Sequence, residues 1–421
     1  MYQEPSVKII DFLLSLSDAL DLAGPALSSH QLRTAFIAWK LAEAAQFPSS
    51  VIEQIFIAAL LHDIGALSPE EKLGLHESTY EGNLESHCIY GENVLKRVPI
   101  FEHASRIVRH HHTKWPDLAQ SHEAGPALQS QVLFVSDTVE RAINRKKYIL
   151  HQDEEIISDI ESLSETEICP ELIDVFRSIA SREEFWLTLT SPKLATIISE
   201  VVPFDNLLIY QSSFLSISEL VRDIIDFRSP FTASHSSGVS AAASAMAGYL
   251  GYSEPEVELI RISGNLHDLG KMAVPNRILD KPDRLNKSEF AIIRQHPYHT
   301  YSVLKRCGFS HQIAEWAGFH HEKLDGSGYP FHLDAGRIDL GSRIVAIADI
   351  FIALTEDRPY RKRMKKLEVL SVMENMCDNG LIDGHVVNVL RKNYDDIREI
   401  IITGQDNSKN NFEKGLSPAA D

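Results

Sequence analysis

Histidine and aspartate recur in the same order in two stretches of this 421-residue chain. The first reads His30, His62-Asp63, His87, His111-His112 and Asp137; the second reads His235, His267-Asp268, His296, His320-His321 and Asp349. The step from the lone His to the His-Asp pair is 32 residues in both, and the step from the third His to the His-His pair is 24 in both. Flanking residues agree: Leu60-Leu61-His62-Asp63-Ile64-Gly65 parallels Asn265-Leu266-His267-Asp268-Leu269-Gly270, and Gln131 to Asp137 parallels Arg343 to Asp349. The pattern is that of an internal duplication. Imidazole nitrogen with carboxylate oxygen, and no thiolate in the pattern, suits Fe, Mn, Zn or Ni. Seven donors from five points of the chain are too many for one tetrahedral ion. They match two six-coordinate cations bridged by a carboxylate, with positions left for water. Two such cations, about 3.5–4 Å apart, activate water and clamp the oxygens of a phosphoryl transfer. The chemistry expected is hydrolysis, not covalent catalysis. The remaining histidines, among them His76, His103 and His299, fit no repeated slot and read as surface or packing residues.

The elements that must position these donors read as helices. Apolar residues recur at three- and four-residue spacing in Val51–Leu61, Phe101–Val108, Val257–Leu266 and Ile338–Leu354. Ser49 and Ser50 precede one run, and Ser253 with Pro255 and Glu256 opens another, so both are expected as caps. Asn379-Gly380 reads as a helix C-cap rather than a hairpin. The fold class expected is all-α. An acidic stretch, Asp153 to Glu171, reads as solvated helix, and Pro192 to Asp205 as the junction between halves. The expected organisation is residues 1–200, residues 201–404, and a disordered tail over 405–421.

Composition narrows the partners. With 41 Lys+Arg against 59 Asp+Glu the formal net charge is −18, which argues against a polymeric nucleic-acid ligand. No run of about 18 apolar residues marks a membrane span. The first residues lack a signal-peptide pattern. The four cysteines form no CxxC pair, and a cytoplasmic location is expected.

The second block resembles a known family. His267-Asp268-Leu-Gly-Lys271, then His296-Pro297, then His320-His321-Glu322-Lys-Leu-Asp325-Gly326-Ser-Gly328-Tyr329-Pro330 is similar to the HD-GYP domain of the HD phosphohydrolase superfamily, as is Asp349 followed by Arg358-Pro-Tyr-Arg361. The resemblance runs from about Leu215 to Leu390. It implies two tandem helical HD-type domains, the second a hydrolase of cyclic dinucleotides, either cyclic di-GMP or 3′,3′-cyclic GMP-AMP. It implies metal ligation by His235, His267, Asp268, His296, His320, His321 and Asp349. It also implies catalytic roles for Lys271 and Asp268, and phosphate contacts from Arg358 and Arg361. Tyr329 is placed to stack on a base.

Two divalent cations, Fe or Mn, are the expected cofactors. Phe231 stands where some members carry a Glu linked to a third metal, which favours two. Thr300 and Ile352 also depart from the family, at a small and an acidic position. The first block is similar to the wider HD superfamily and offers His30, His62, Asp63, His87, His111, His112 and Asp137 as a second candidate metal set. Ala66 there replaces the lysine, and Thr-Lys-Trp115-Pro116 replaces the GYP loop. It reads as degenerate, with a structural, regulatory or second hydrolytic role. The architecture resembles the cyclic GMP-AMP phosphodiesterases of this family. The rival functions are a cyclic-dinucleotide receptor or scaffold with a structural metal, and a mononucleotide hydrolase. A homodimer is compatible with the duplicated helical faces.

Overall fold

The computed structural model describes residues 6–21, 29–66, 71, 74, 84–120, 124–201, 208–226, 234–357 and 362–416. Among them the only strands are Ser6–Lys8 and Leu208–Tyr210, paired in a two-stranded sheet. Everything else regular is helix, as the periodicity requires. Contacts divide the described residues into two compact units, one drawn mainly from residues 8–201 and the other from residues 208–414 together with residues 6–7.

In the first unit, helix His30–Ala44 is buried along most of its length. It packs on helices Ser49–Leu61 and Ala124–Ala142. Phe36 stacks on Phe185 with ring centroids 5.9 Å apart. Helix Leu194–Val201 lies within the span read as a junction and buries Leu194 and Ile198.

In the second unit, helix His235–Tyr249 is a run of Ser, Ala and Gly that lets its neighbours approach closely. A Cβ on Gly264 would come within 2.7 Å of Ser240 Cα. Helices Glu254–Leu266 and Leu340–Thr355 pack on it. Val239, Met246, Ile344, Phe351, Val386 and Ile397 join one apolar core, each worth about 1.5–3 kcal/mol when buried. This close crossing brings the start of one helix to the middle of another, where His235 and Asp349 sit.

Local expectations fare unevenly. Ser253 and Glu256 form the capping box. Ser49, however, is already helical: Pro48 occupies the cap position and no side chain caps that end. Asn379 is the C-cap and Gly380 follows at φ +70°. The acidic stretch is helical only over Asp153–Ser162, with turns up to a second helix at Pro170. The tail expectation is corrected: helix Tyr394–Leu416 runs through most of the segment read as disordered. Its apolar stripe is carried past Tyr394, Ile397 and Ile401 by buried Ser408, and Gln405 makes two side-chain hydrogen bonds. A polar composition concealed a packed face. Residues 417–421 lie outside the described residues.

Candidate metal centre

Every candidate donor sits at a helix boundary or on a buried helix face. In the second unit His235 opens helix His235–Tyr249 and His296 opens helix His296–Arg306. His267-Asp268 follows the end of helix Glu254–Leu266, and His320-His321 follows helix His311–Gly318. Asp349 lies within Leu340–Thr355. The His-Asp pair therefore lies in a helix-end turn. Gly270 makes that turn possible, since a Cβ there would overlap the His296 carbonyl oxygen. Thr300, the departure from a small residue, hydrogen-bonds the turn. Its hydroxyl donates to the His267 carbonyl and accepts from the Gly270 N–H, both at 2.9 Å.

The tautomers are set by the backbone. His267, His296 and His320 each donate Nδ1–H to the carbonyl three residues earlier, on Gly264, Ile293 and Ala317, at 2.7–2.8 Å. Their Nε2 atoms are left as acceptors. His296 Nε2 and His320 Nε2 face each other at 3.1 Å. Among the described residues His267 Nε2 is buried with no hydrogen-bond partner. Two lone pairs held that close call for a cation. Two nitrogens each about 2.1 Å from one ion at a right angle lie about 3.0 Å apart. The donor set thus fits divalent metal.

Asp268 links two groups of donors. Its Oδ2 lies 3.3 Å from His267 Nε2 and 3.9 Å from His235 Nε2; its Oδ1 lies 3.4 Å from His296 Nε2. Asp349 completes both sides, at 3.1 Å from His235 Nε2 and 3.8 Å from His321 Nδ1. Lys271 Nζ sits 2.5 Å from Asp268 Oδ2. Burial pushes His296 down to about 3 and holds His320 and His321 low, so the rings are neutral donors. Burial would raise Asp268, but His267 and Lys271 outweigh it and keep the carboxylate ionised.

The GYP segment is fastened from beneath. Buried Glu322 accepts from the N–H groups of Phe331 and Leu333 at 2.7 and 2.9 Å, and Tyr329 N–H donates to His321 O. Tyr329 packs its ring 4.9 Å from His321. Arg358, Arg361, Phe231 and His76 lie outside the described residues.

The first unit repeats the arrangement. His62 and His111 donate Nδ1–H to Ala59 O and Val108 O at 2.8 and 2.6 Å. His30 Nε2 faces His62 Nε2 at 3.2 Å, and His87 Nε2 faces His111 Nε2 at 3.3 Å. Asp63 and Asp137 lie 3.4–3.7 Å from His30 and His62. His112 rests on His87 and His111, with ring centroids 5.0 and 4.1 Å away. Gly65, like Gly270, could not carry a Cβ without meeting a histidine carbonyl, here that of His87.

Five residues about the two centres escaped the sequence reading. Glu140 accepts from His30 Nδ1 at 2.5 Å and is itself held by Arg33 and Arg145. Glu356 accepts from His235 Nδ1 at 3.1 Å, and Gln405 donates to Glu356 at 2.7 Å and to Ser234 O at 3.0 Å. Glu140 lies three residues after Asp137, the slot that is Ile352 in the second unit; Glu356 lies one helical turn beyond that slot. Buried Asp226 takes the N–H groups of Ser236 and Ser237, capping the helix that His235 opens. Finally, Cys88 Sγ lies 3.7 Å from His87 Nε2 and 3.5 Å from His111 Nδ1. A thiol does therefore border the first centre, where none was expected. Burial pushes it up to about 12, so it stays protonated without a cation.

HD-domain family models match residues 27–142 and 219–386. The chain is a tandem HD-domain protein. It is 29% identical over 403 residues, 93% of each chain, to the 3′3′-cGAMP-specific phosphodiesterase 1 of Vibrio cholerae serotype O1. It is 33% identical over 225 residues to phosphodiesterase 3 of that organism, covering 53% of this chain and 49% of the relative. A cyclic di-GMP phosphodiesterase of Pseudomonas aeruginosa is 39% identical over 157 residues, 37% of each chain. Among solved structures, a cyclic GMP-AMP-specific phosphodiesterase of V. cholerae shares the fold at TM-score 0.62 and 22% identity, over 93% of this chain and 98% of that one. No helix among the described residues of this HD-domain chain is long and apolar enough to cross a membrane.

Proposed function

We propose that this chain is a metal-dependent phosphodiesterase that opens a 3′,3′-cyclic dinucleotide, cyclic GMP-AMP or cyclic di-GMP, to the linear 5′-phosphorylated dinucleotide. The observation that carries this is the complete second-unit donor set joined by Asp268, with the Lys271 ammonium on the same carboxylate. A relative aligned over 93% of this chain is named a 3′3′-cGAMP-specific phosphodiesterase. Two divalent cations, Fe or Mn by donor type, would supply an activated water and charge neutralisation for the phosphodiester.

The protein's own contributions follow from geometry. His235, His267, Asp268, His296, His320, His321 and Asp349 would hold the cations, with Asp268 placed between the group at His235 and His267 and the group at His296. Lys271 brings a point charge to a non-bridging phosphate oxygen as negative charge grows there. Tyr329 keeps its hydroxyl proton, because burial and nearby Asp349 push its pKa up, and so can donate a hydrogen bond. The water oxygen bonds to phosphorus, the bond to the 3′ oxygen breaks, and that oxygen leaves with a proton. Arg358 and Arg361 are assigned to the second phosphate. The −18 net charge is no obstacle, since the local field at the site is set by the cations and these basic residues.

We assign metal to the first unit as well, on the same facing Nε2 pairs. Its clamp differs: Ala66 replaces the lysine, and Arg141, 29% exposed, stands 3.5 Å from Asp137. A regulatory or structural role suits it better than the same hydrolysis.

The test is anaerobic purification, loading with Mn or Fe, and chromatography of products from cyclic di-GMP and 3′,3′-cyclic GMP-AMP. Linear dinucleotide from either is the expected result. No product, with two metals confirmed in the second unit, would make the chain a receptor instead.

A further inference from the structure

The rim beside His321 carries a second kind of chemistry. Arg294 sits in the two-residue turn between helix Lys287–Ile293 and the helix opened by the metal donor His296. Its guanidinium lies 4.9 Å over the ring of Tyr329, and Tyr329 in turn packs against His321. Phe290, one turn earlier, meets the Tyr329 ring edge-on at 6.4 Å and is 47% exposed. Arg294 is exposed, and among the described residues no carboxylate pairs with it. Other arginines of this unit do have such partners: Arg222 binds Asp223 and Arg343 binds Asp383.

An arginine without a counter-charge and a bare aromatic ring therefore stand together at the mouth of the centre. A phosphate needs only the cation. A nucleobase uses both, the ring for stacking and the guanidinium for its edge. Stacking on Tyr329 holds the guanidinium plane and leaves its N–H edge for a ligand. Two parallel N–H donors match the O6 and N7 acceptors of guanine, whereas adenine presents an N6 donor beside N7. We propose that Arg294 and Phe290 form a guanine-reading platform, Arg294 donating to O6 and N7 and Phe290 stacking on the base. This rests on the phosphodiesterase reading and names the side chains that would read the guanine common to both of its candidate substrates.

The experiment uses the full-length, Mn-loaded chain and its Arg294→Ala, Arg294→Gln and Phe290→Ala variants. It compares kcat/KM for cyclic di-GMP and cyclic di-AMP, and measures equilibrium binding of both. Arg294→Ala should lower the guanine-over-adenine ratio about 5- to 150-fold. Arg294→Gln should move it further toward adenine, because glutamine matches N6 and N7. Phe290→Ala should weaken binding of both nucleotides. If Arg294→Ala lowers both substrates together and leaves the ratio intact, the residue only supports Tyr329 and the platform is wrong. Arg294-dependent guanine binding without any turnover would keep the platform and remove the enzyme. Turnover with an unchanged ratio would keep the enzyme and remove the platform.

Discussion

Replacing Glu356 with leucine should weaken metal binding at the second-unit centre about 10- to 100-fold. Glu356 accepts the Nδ1 proton of His235 at 3.1 Å and so keeps Nε2, 3.1 Å from Asp349, as the donor face. Leucine removes the acceptor and leaves a buried N–H beside it. A hydrogen bond to a charged group contributes about 1.5–3 kcal/mol, or about 10- to 150-fold in a binding constant, in line with the range for such supporting residues. Gln405 loses a partner at the same time. Glu356→Gln keeps an acceptor oxygen and should cost less than about 10-fold on the same scale. The assay is Mn titration against a competing chelator in a His62→Ala, His111→Ala background, which confines binding to the second unit, with metal counted by mass spectrometry. A leucine variant that folds normally and binds Mn within twofold of its parent would refute the reasoning.

Lys271→Ala should retain both metals and lose about 10²- to 10³-fold in kcat, the usual cost of one charge-stabilising group; full turnover would contradict its role. Acid should destabilise the metal-free chain. His296 and His87 are held neutral by burial, at about 3 and about 4, against 6.5 for an ordinary histidine. Below pH 6.5 the unfolded chain binds protons that the folded one does not, so stability is full above that pH and falls toward the folded values. Each group should cost about 1.4 kcal/mol by pH 5.5, and thermal midpoints flat between pH 7.5 and 5.5 would count against this. Gly270→Ala should destabilise the second unit by about 1–3 kcal/mol or more, by driving a methyl into the His296 carbonyl; an unshifted denaturation midpoint would show that the turn relaxes freely.

The ligand order was legible because each donor type recurs at a spacing set by whole helices, and helix length is written in apolar periodicity. What the spacing could not carry was which side chains meet across helices. Glu140 and Glu356 serve the same nitrogen of their respective histidines, yet their slots differ by one turn, and Gln405 reaches Glu356 from a helix in a stretch read as disordered. Cys88 was passed over for want of a CxxC partner, although its neighbour His87 and the pairing of His87 with His111 place it in the cluster. Thr300 looked like a loss and proves to be the link between the His-Asp turn and the next helix. Tyr329 was read as a base platform; its ring is already engaged by His321, Arg294 and Phe290.

The two carboxylates that back the first histidines carry a lesson about how such a duplicated protein changes. Aligned slot by slot, the second half has isoleucine at 352 where the first has Glu140, and looks impaired. Ile352 lies in the last turn of helix Leu340–Thr355, and Glu356 caps that helix with its N–H on the Ile352 carbonyl, so the acceptor for the first histidine comes from the cap and not from the slot. What the two halves share is then an acceptor near the end of the helix that carries the aspartate rather than a column of an alignment, and an apparent defect in one half is met from a neighbouring position.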